Sequence, residues 1–390
     1  MESHKSQQNI RLVGQGSSRR DLSSLRRLSA RSREIEDAPG RSFCLPIMPG
    51  ITTESKFGTQ PVADDQGRIV IGVDEAGYGP NIGPLVVAAT AWRVPCKVSE
   101  QEFANYLSHG FAAEAWKEDC QHVPLGDSKQ LYSPAAGLRT LEAGLLALLA
   151  QLEHLPRFDS GFASVLEALS QLAGPPWRAN HQAWYAQLPS ELPVALSPEE
   201  VARLAGIARQ RLCGCGIELL AVRACIVTES RFNEMLSRFG SKGRLLSTVT
   251  MDLVTALLGD HADSAVEVFC DRHGGRKKYS CVLLEAMPDD WFDTLDESPM
   301  RSSYRRQRSP ELRVHFSVGG DSFPPTALAS MTAKYLRERL MSAINDYWRQ
   351  HVEDLRPTAG YPGDARRFRD KIETAAAWLG HAVEDWWRTC

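Results

Sequence analysis

Acidic residues follow three buried-strand patterns of this sequence, at the points where those strands end. Asp74 and Glu75 directly follow the first pattern, Asp271 follows the second, and Asp321 follows the third behind a Gly-Gly pair. Functional groups of α/β proteins gather at strand ends, so we expect these four carboxylates to meet at one edge of a sheet. A single Asp at a strand end is often only a turn former or a helix cap, so the prediction of a common site depends on all four acids together.

Converging carboxylates repel one another and are costly to remove from water, and a divalent cation is the usual remedy. Oxygen ligands suit Mg²⁺ or Mn²⁺, whereas the sequence lacks the His/Cys cluster that zinc would favour. Two such ions can activate a water molecule and stabilise the leaving oxygen of a phosphodiester. The sequence therefore predicts a site for two divalent ions, either Mg²⁺ or Mn²⁺.

The loop after Glu75 is rich in glycine and proline. Residues 76–84 read Ala-Gly-Tyr-Gly-Pro-Asn-Ile-Gly-Pro. Glycines let backbone N–H groups come close to a ligand, although most loops of this composition are simply turns. Its position directly behind two strand-end acids would place a nucleic-acid backbone over the metal ions.

The remaining pattern is that of a mixed α/β protein. We find no internal repeat, and the order of strands and helices is the one expected for mixed α/β. Apolar runs and periodicities predict strands at 69–73, 85–90, 217–227, 266–270 and 313–318, and helices at 138–152, 198–212, 246–257 and after residue 325.

Composition narrows the class of protein. The chain has 390 residues, 43% of them hydrophobic, and a formal charge of −3, so a nucleic-acid partner would need a local basic face. We expect no membrane span, and no secretion because the N-terminus lacks an apolar stretch. The nine cysteines lack a CxxC spacing, which favours a reduced, cytoplasmic chain.

Residues 1–65 are predicted to be a disordered tail, rich in Ser and basic residues, in front of a folded domain at 66–390. Two other interpretations stay open for this segment. It could be a basic arm that touches nucleic acid, or the start codon could have been placed too far upstream.

Several segments in order resemble one family. Val73–Pro80, with the letters VDEAGYGP, resembles the DEAGRGP signature of ribonuclease HII, the type 2 ribonuclease H family. Residues 126–131 are similar to its DSKKL segment, and Asp321 with residues 327–334 to its GD…AASILAK segment. Gly360-Tyr361-Pro362 resembles its late GY motif, and residues 387–389 resemble the end of archaeal and eukaryotic members, whose third Asp, like Asp271, precedes a Tyr by eight residues.

The resemblance implies an α/β fold: an RNase H-like mixed β-sheet flanked by helices, with a C-terminal helical extension. It implies an endonuclease, active as a monomer, that cuts the RNA strand of RNA–DNA hybrids and incises duplex DNA 5′ of an embedded ribonucleotide, in replication and ribonucleotide repair. Carried over by position, the catalytic metal ligands would be Asp74, Glu75, Asp271 and Asp321, and the substrate contacts would be Gly77, Tyr78, Gly79, Lys129 and Tyr361.

The sequence departs from the family at several points. Tyr78 replaces the Arg of the signature, which removes one cationic contact. His273, behind Asp271, would either help to deprotonate water or be a solvated loop residue. Two segments look longer than in other members of the family. The insert near 150–200 contains Trp177, Trp184 and Tyr185, which either stack on bases or pack locally. The insert near 283–312 has an acidic stretch followed by a basic one, and it either grips a duplex or is a mobile loop whose charges neutralise one another.

Other functions stay open at this point. The chain could be an RNase H-fold nuclease for another structured nucleic acid, such as a branched DNA junction, or a relative that binds hybrids without cutting them. A Mg²⁺-dependent phosphomonoesterase is a third possibility. The ribonuclease HIII subtype is a nearer one, although residues 1–65 do not resemble its folded N-terminal domain.

Overall fold

The structure, a computed structural model, describes residues 67–114, 116–117, 121–170, 182–186 and 188–389. The predicted tail at 1–65 and Trp177 lie outside the described residues. The strands are β1 Arg68–Ala76, β2 Leu85–Val94, β3 Phe111–Ala112, β4 Val123–Pro124, β5 Glu218–Val227, β6 Val266–Asp271, β7 Phe292–Glu297, β8 Arg301–Arg306 and β9 Leu312–Ser317. The helices are α1 Glu100–Ser108, α2 Ser128–Leu131, α3 Arg139–Leu149, α4 Phe162–Ser170, α5 Pro198–Cys215, α6 Glu229–Phe239, α7 Lys242–Asp260, α8 Ser280–Ala286, α9 Pro324–His351, α10 Pro362–Trp378 and α11 Val383–Trp386.

One mixed sheet organises the molecule, with the strand order β5-β2-β1-β6-β9-β8-β7. Its centre is parallel, because β6 pairs in parallel with β1 on one side and with β9 on the other. β2, which the sequence predicts as a strand, is the antiparallel hairpin partner of β1. Three parallel strands therefore end at the same edge of the sheet, and these are the strands that precede the predicted acids.

Helices cover both faces of this sheet, and the alternation within β1 shows how. Val70 belongs to the apolar core shared with α3, α5, α9 and α10, whereas Ile69, Ile71 and Val73 belong to the core on the opposite face, shared with α6, α7 and α8. A strand buried on both faces reads as a continuous apolar run, which is why residues 69–73 show no polar alternation. The predicted fold class, with helices at the C-terminal end, is confirmed.

Gly72 sets how closely α9 approaches β1. A Cβ at this position would lie 2.2 Å from the carbonyl carbon of Pro325. The start of α9 is also fastened to the sheet by hydrogen bonds, since Thr90 Oγ1 donates to the Pro325 carbonyl at 2.8 Å and Thr326 Oγ1 to the Phe269 carbonyl at 3.4 Å. This contact places the first turns of α9 against the strand that carries Asp74 and Glu75.

The second insert is part of the sheet. β7 and β8 form an antiparallel hairpin, and β8 pairs with β9. Its charges neutralise one another, in agreement with one of the two predicted alternatives, although the segment is a pair of strands and not a loop. The ion pairs are Arg305–Asp293 at 3.3 Å, Arg306–Asp290 at 3.4 Å, Arg308–Asp290, and Arg301–Glu100 at 3.2 Å from α1.

Of the aromatic residues named for the first insert, the two that the structure describes are packed inside the protein. Trp184 and Tyr185 are both buried. The Trp184 ring lies 6.0 Å from that of Trp348 in α9 and 5.5 Å from that of His381. Neither side chain is available to stack on a base, so the stacking alternative is wrong for these two residues.

Within the described ranges, no helix is both long enough and apolar enough to cross a membrane.

Candidate functional site

The four predicted acids come from three elements that meet at one edge of the sheet. β1 and β6 are in parallel register with Val73 opposite Cys270, so Asp74 and Asp271 come next on neighbouring strands. Asp321 lies in a short 3₁₀ turn, Gly320–Ser322, between β9 and α9. The backbone N–H of Gly320 donates to Asp271 Oδ1 at 3.1 Å, which ties this turn to the end of β6.

Electrostatics show that the acids are close enough to affect one another. Burial raises the pKa of Asp74 to about 7, and the charges of Asp271 and Asp321 add to this effect against a hydrogen bond from Ser330. Burial raises the pKa of Glu75 to about 8, with further increases from Asp74 and Asp271. Burial also raises the pKa of Asp271. The site is therefore a cluster of carboxyl groups whose charged forms are disfavoured by burial and by one another.

Lys129 supplies a positive charge to this cluster. Its Nζ lies 3.2 Å from Asp321 Oδ2. Burial acts to lower the pKa of Lys129, and the hydrogen bond and charge of Asp321 outweigh that effect and raise it. Asp127 caps the short helix α2 that carries this lysine, accepting from the Lys129 N–H at 2.9 Å. The Asp-Ser-Lys segment thus positions a cation beside the acids.

Ser330 on α9 connects the same segment to β1. Its hydroxyl lies 2.9 Å from that of Ser128, next to Lys129, and it also hydrogen-bonds Asp74. A serine at this point lets α9 offer a hydrogen bond where a buried carboxylate needs one. The edge of the sheet that carries Asp74, Glu75, Asp271 and Asp321 is here called the acid edge. The predicted AASILAK-like helix therefore contacts the acid edge through Ser330, a residue that the sequence pattern did not single out.

The donor set fits a divalent cation, because it consists of carboxylate oxygens whose pKa values are raised by burial and, in addition, by their mutual repulsion. Among the residues that the structure describes, however, no group of three or more His, Cys, Asp or Glu side chains is closed around a common metal position. The strands and the turn bring the four acids to one edge of the sheet, but their side chains are not arranged around one common metal position.

The loop at residues 76–84, here called the glycine loop, begins at the acid edge. Gly77 has a φ of +89°, and a Cβ there would lie 2.4 Å from the carbonyl oxygen of Pro84, so both conformation and space require glycine. Gly79 differs, because it is exposed, has no positive φ, and a Cβ there would meet nothing within 4 Å. The fold gives no reason for glycine at position 79.

Tyr78 lies within this loop, and Tyr361 lies next to it. Tyr78 is partly exposed, and burial raises the pKa of its hydroxyl, as does the charge of Glu75. Tyr361 is 50% exposed and is the N-cap residue of α10. The carbonyl of Gly360, just before it, accepts from the N–H groups of Asn81 at 2.8 Å and Ile82 at 3.3 Å. The late Gly-Tyr segment is thereby fastened to the glycine loop.

His273 is neither a solvated residue nor a base at the site. It is 4% exposed, and its two ring nitrogens lie 3.0 Å from Ser247 Oγ and 3.3 Å from Thr250 Oγ1 on α7. Burial lowers its pKa to about 3. Both predicted roles are wrong, because α7 covers the loop that follows β6 and its hydroxyl groups hydrogen-bond both ring nitrogens.

Comparison with solved structures returns remote similarities. The chain is similar to the PCNA:RNase HII complex from Archaeoglobus fulgidus, with 14% identity and a TM-score of 0.37 over 82% of this chain and 94% of that one. It is similar to ribonuclease H2 from Pyrococcus horikoshii, with 14% identity and a TM-score of 0.36 over 82% and 92%. It is also similar to Bst-RNase HIII in complex with Mn²⁺, with 14% identity and a TM-score of 0.37 over 84% and 70%.

These proteins bear the names of the family, and of its HIII subtype, that the sequence motifs resemble. No family model matches the chain, and no curated protein matches it either. A function for this chain therefore has to be inferred from the residues of the site.

Proposed function

We propose that this protein is a metal-dependent endonuclease of the type 2 ribonuclease H kind, which hydrolyses the RNA strand of RNA–DNA hybrids and incises duplex DNA 5′ of an embedded ribonucleotide. The observation that carries this proposal is the meeting of Asp74, Glu75, Asp271 and Asp321 at one sheet edge, directly beside a glycine loop. Carboxylates alone would suit many metal enzymes, and the exposed backbone of Gly79 in the adjacent loop is what points to a nucleic-acid strand.

Asp74, Glu75, Asp271 and Asp321 would hold the divalent ions, either Mg²⁺ or Mn²⁺. Two ions bound there would activate the attacking water and stabilise the leaving oxygen of the phosphodiester. The chain's own contribution is to hold these acids. Ser330 and the Glu75 N–H, at 2.8 Å, bond to Asp74, and the Gly320 N–H bonds to Asp271. Asp74 and Asp271 are thereby oriented before a ligand arrives.

The surroundings of the acids offer the contacts that a ribonucleotide needs. A 2′-hydroxyl distinguishes RNA from DNA at a single position, and backbone groups of the loop that contains Gly77, Tyr78 and Gly79 would contact it. Lys129, whose side chain is 78% exposed, would contact a phosphate. Tyr361 presents half of its ring beside the loop and would pack on the deoxyribose that follows the ribonucleotide.

The direct test is a cleavage assay on matched substrates. The full chain is incubated with a duplex carrying one ribonucleotide, a long RNA–DNA hybrid, an all-DNA four-way junction and a small phosphate monoester. Each substrate is tested with Mg²⁺, with Mn²⁺ and with a chelator. We expect incision of the first two only, and only with a metal ion.

The alternatives give different results in the same assay. Cleavage of the junction alone would indicate a nuclease for another structure, and release of phosphate from the ester would indicate a phosphomonoesterase. Binding of the hybrid without cleavage under any metal condition would indicate a binding protein. Each of these results would contradict the proposed function.

A further inference from the structure

The side chain of Arg388 reaches from the C-terminal end of the described chain into the glycine loop. It is fully buried. Its Nη1 donates to the carbonyl oxygens of Gly77 at 2.6 Å and Gly83 at 3.3 Å, and its Nη2 donates to that of Tyr78 at 3.0 Å. One guanidinium group thus binds the carbonyls at both ends of the loop.

Arg388 is itself held in place. Its guanidinium carbon lies 3.7 Å from the centre of the Phe232 ring on α6. Its backbone N–H donates to the Asn81 carbonyl at 2.7 Å, and Asn81 Nδ2 donates back to the Arg388 carbonyl at 3.1 Å. On either side of it, Asn233 accepts from the Thr389 N–H at 2.8 Å and donates to the Trp387 carbonyl at 2.9 Å.

Glu229 completes the arrangement from the first residue of α6. Its side chain is fully buried, and its Oε1 accepts from the Gly83 N–H at 3.0 Å. Tyr185 Oη and Gln182 Nε2 donate to the same carboxylate at 3.2 Å and 3.1 Å. Burial raises the pKa of Glu229 to about 7, and the charge of Arg388 acts against this increase. The loop is therefore held through the carbonyl of Gly83 by Arg388 and through the N–H of Gly83 by Glu229.

A buried guanidinium is costly unless its donors are satisfied, and here backbone carbonyls of the loop accept hydrogen bonds from both Nη groups. The loop needs such support, because three glycines and two prolines give it few side chains of its own to pack. Hydrogen bonds from a charged donor are also stronger than those between neutral groups.

We propose that Arg388 and Glu229 are positioning residues, which fix the glycine loop in the shape that presents Gly77 to Gly79 to the substrate. This inference rests on the proposed function for the role of the loop in substrate binding. It rests on the contacts above for the way in which Arg388 and Glu229 hold the loop, and these two residues are here called the clamp. The C-terminal residues thus act on a substrate contact from a position about 310 residues away in sequence, the separation between Arg388 and Tyr78.

The test uses Arg388→Gln, Arg388→Lys and Glu229→Gln in the full chain. Arg223→Gln is the matched control, because Arg223 is also buried but pairs with Asp260 at the end of α7 and not with the loop. Hydrogen–deuterium exchange of residues 76–84 reports on the loop without any substrate. Steady-state incision of the single-ribonucleotide duplex reports on its use.

We expect faster exchange at Asn81, Ile82 and Gly83 in Arg388→Gln and Glu229→Gln. We also expect KM to rise about tenfold, the factor that corresponds to about 1.4 kcal/mol, with a smaller change in kcat. Arg388→Lys keeps the charge but cannot span three carbonyls, and should lie between wild type and Arg388→Gln. The control should show neither effect. A merely structural defect would instead reduce the active fraction, which lowers kcat and leaves KM unchanged.

Unchanged exchange and unchanged KM in a folded Arg388→Gln protein would overturn the clamp even if the wild type is an active nuclease. Should Arg388→Gln fail to fold, the same two readouts in Glu229→Gln and Arg388→Lys decide the matter. A wild type that cuts no duplex, with exchange faster in the two clamp variants than in the control, would leave the clamp standing and remove the proposed function.

Discussion

Asp74 and Glu75 are ionisable groups held where their charged forms are disfavoured. Burial raises the pKa of Asp74 from 3.8 to about 7 and that of Glu75 from 4.5 to about 8. In the unfolded chain both would lose their protons near their ordinary values, so between those values and the raised ones the folded state holds more protons. The metal-free protein should therefore lose stability as pH rises through this window.

A thermal unfolding series measures this effect. Without metal, we expect the melting temperature to fall from about pH 5 to about pH 8, since the stability given by the protonated acids is lost as pH passes their folded pKa values. Mg²⁺ should raise the melting temperature more at about pH 8 than at about pH 5, because the cation competes with protons for the same oxygens. A Mg²⁺ effect of equal size at both values would speak against a carboxylate cation site.

Gly79 separates the needs of the fold from those of the substrate. A methyl group there meets nothing in the protein. We therefore expect Gly79→Ala to melt within about 1 °C of the wild type, a change of only a few tenths of a kcal/mol. Its affinity for the single-ribonucleotide duplex should nevertheless fall at least about tenfold, because the strand can no longer approach the backbone. Unchanged affinity would remove Gly79 from the proposed contacts.

At the scale of elements, the approach of α9 to β1 is what brings Ser330 to Asp74. The contact depends on Gly72, where a side chain would collide with the backbone of Pro325. We expect Gly72→Ala to lower the free energy of unfolding by about 2 kcal/mol or more, since neither backbone can move freely. Urea denaturation measures the loss.

The matched control is Gly206→Ala in α5, where a Cβ meets no atom within 4 Å. This change should be neutral or stabilise the protein by roughly 0.5–1 kcal/mol, because it only removes the flexibility of a helical glycine. Equal losses in the two variants would show that the close packing of β1 and α9 is not what makes Gly72 necessary.

The sequence was sufficient for the elements with strong patterns. β1, β2, β6, β9 and α9 were predictable from apolar runs and periodicity, and the strand ends indicated where the acids meet. The hairpin of β7 and β8 was not predictable as strands, because its residues are largely charged and it lies at the edge of the sheet. Strand pairing supplies what its local pattern lacks.

Within the site, long-range partners were the part that sequence reasoning missed. The burial of His273 depends on hydroxyls of α7, and the role of Arg388 depends on carbonyls near residue 80. No local spacing links such residues. The one available signal was that Arg388 lay in a segment which resembled the family, without an indication of what its side chain contacts.

For the whole molecule, the distribution of charge matters more than the net charge of −3. The arginines of the β7–β8 hairpin are paired with acids of the hairpin or of α1, whereas Lys129 lies exposed at the acid edge. Contact with a duplex should thus depend on Lys129 and not on the hairpin.

Duplex binding at several salt concentrations distinguishes the two. We expect Lys129→Gln to weaken binding and to reduce the slope of log K against log salt by about 1, as the loss of one phosphate contact would. Arg305→Gln, which breaks the pair with Asp293, should leave both quantities unchanged. The reverse result would mean that the hairpin grips the duplex.

The central claim is that Asp74, Glu75, Asp271 and Asp321 form one metal-dependent cleavage site, and Asp74→Asn tests it most directly. The substitution removes a buried charge but keeps the shape, so the melting temperature of the metal-free protein should be unchanged or higher. Incision of a duplex with one ribonucleotide in Mg²⁺ should fall at least about a hundredfold, since one of the four proposed carboxylate ligands of the metal ions is lost. A folded Asp74→Asn protein that cuts this duplex at the wild-type rate would contradict the account.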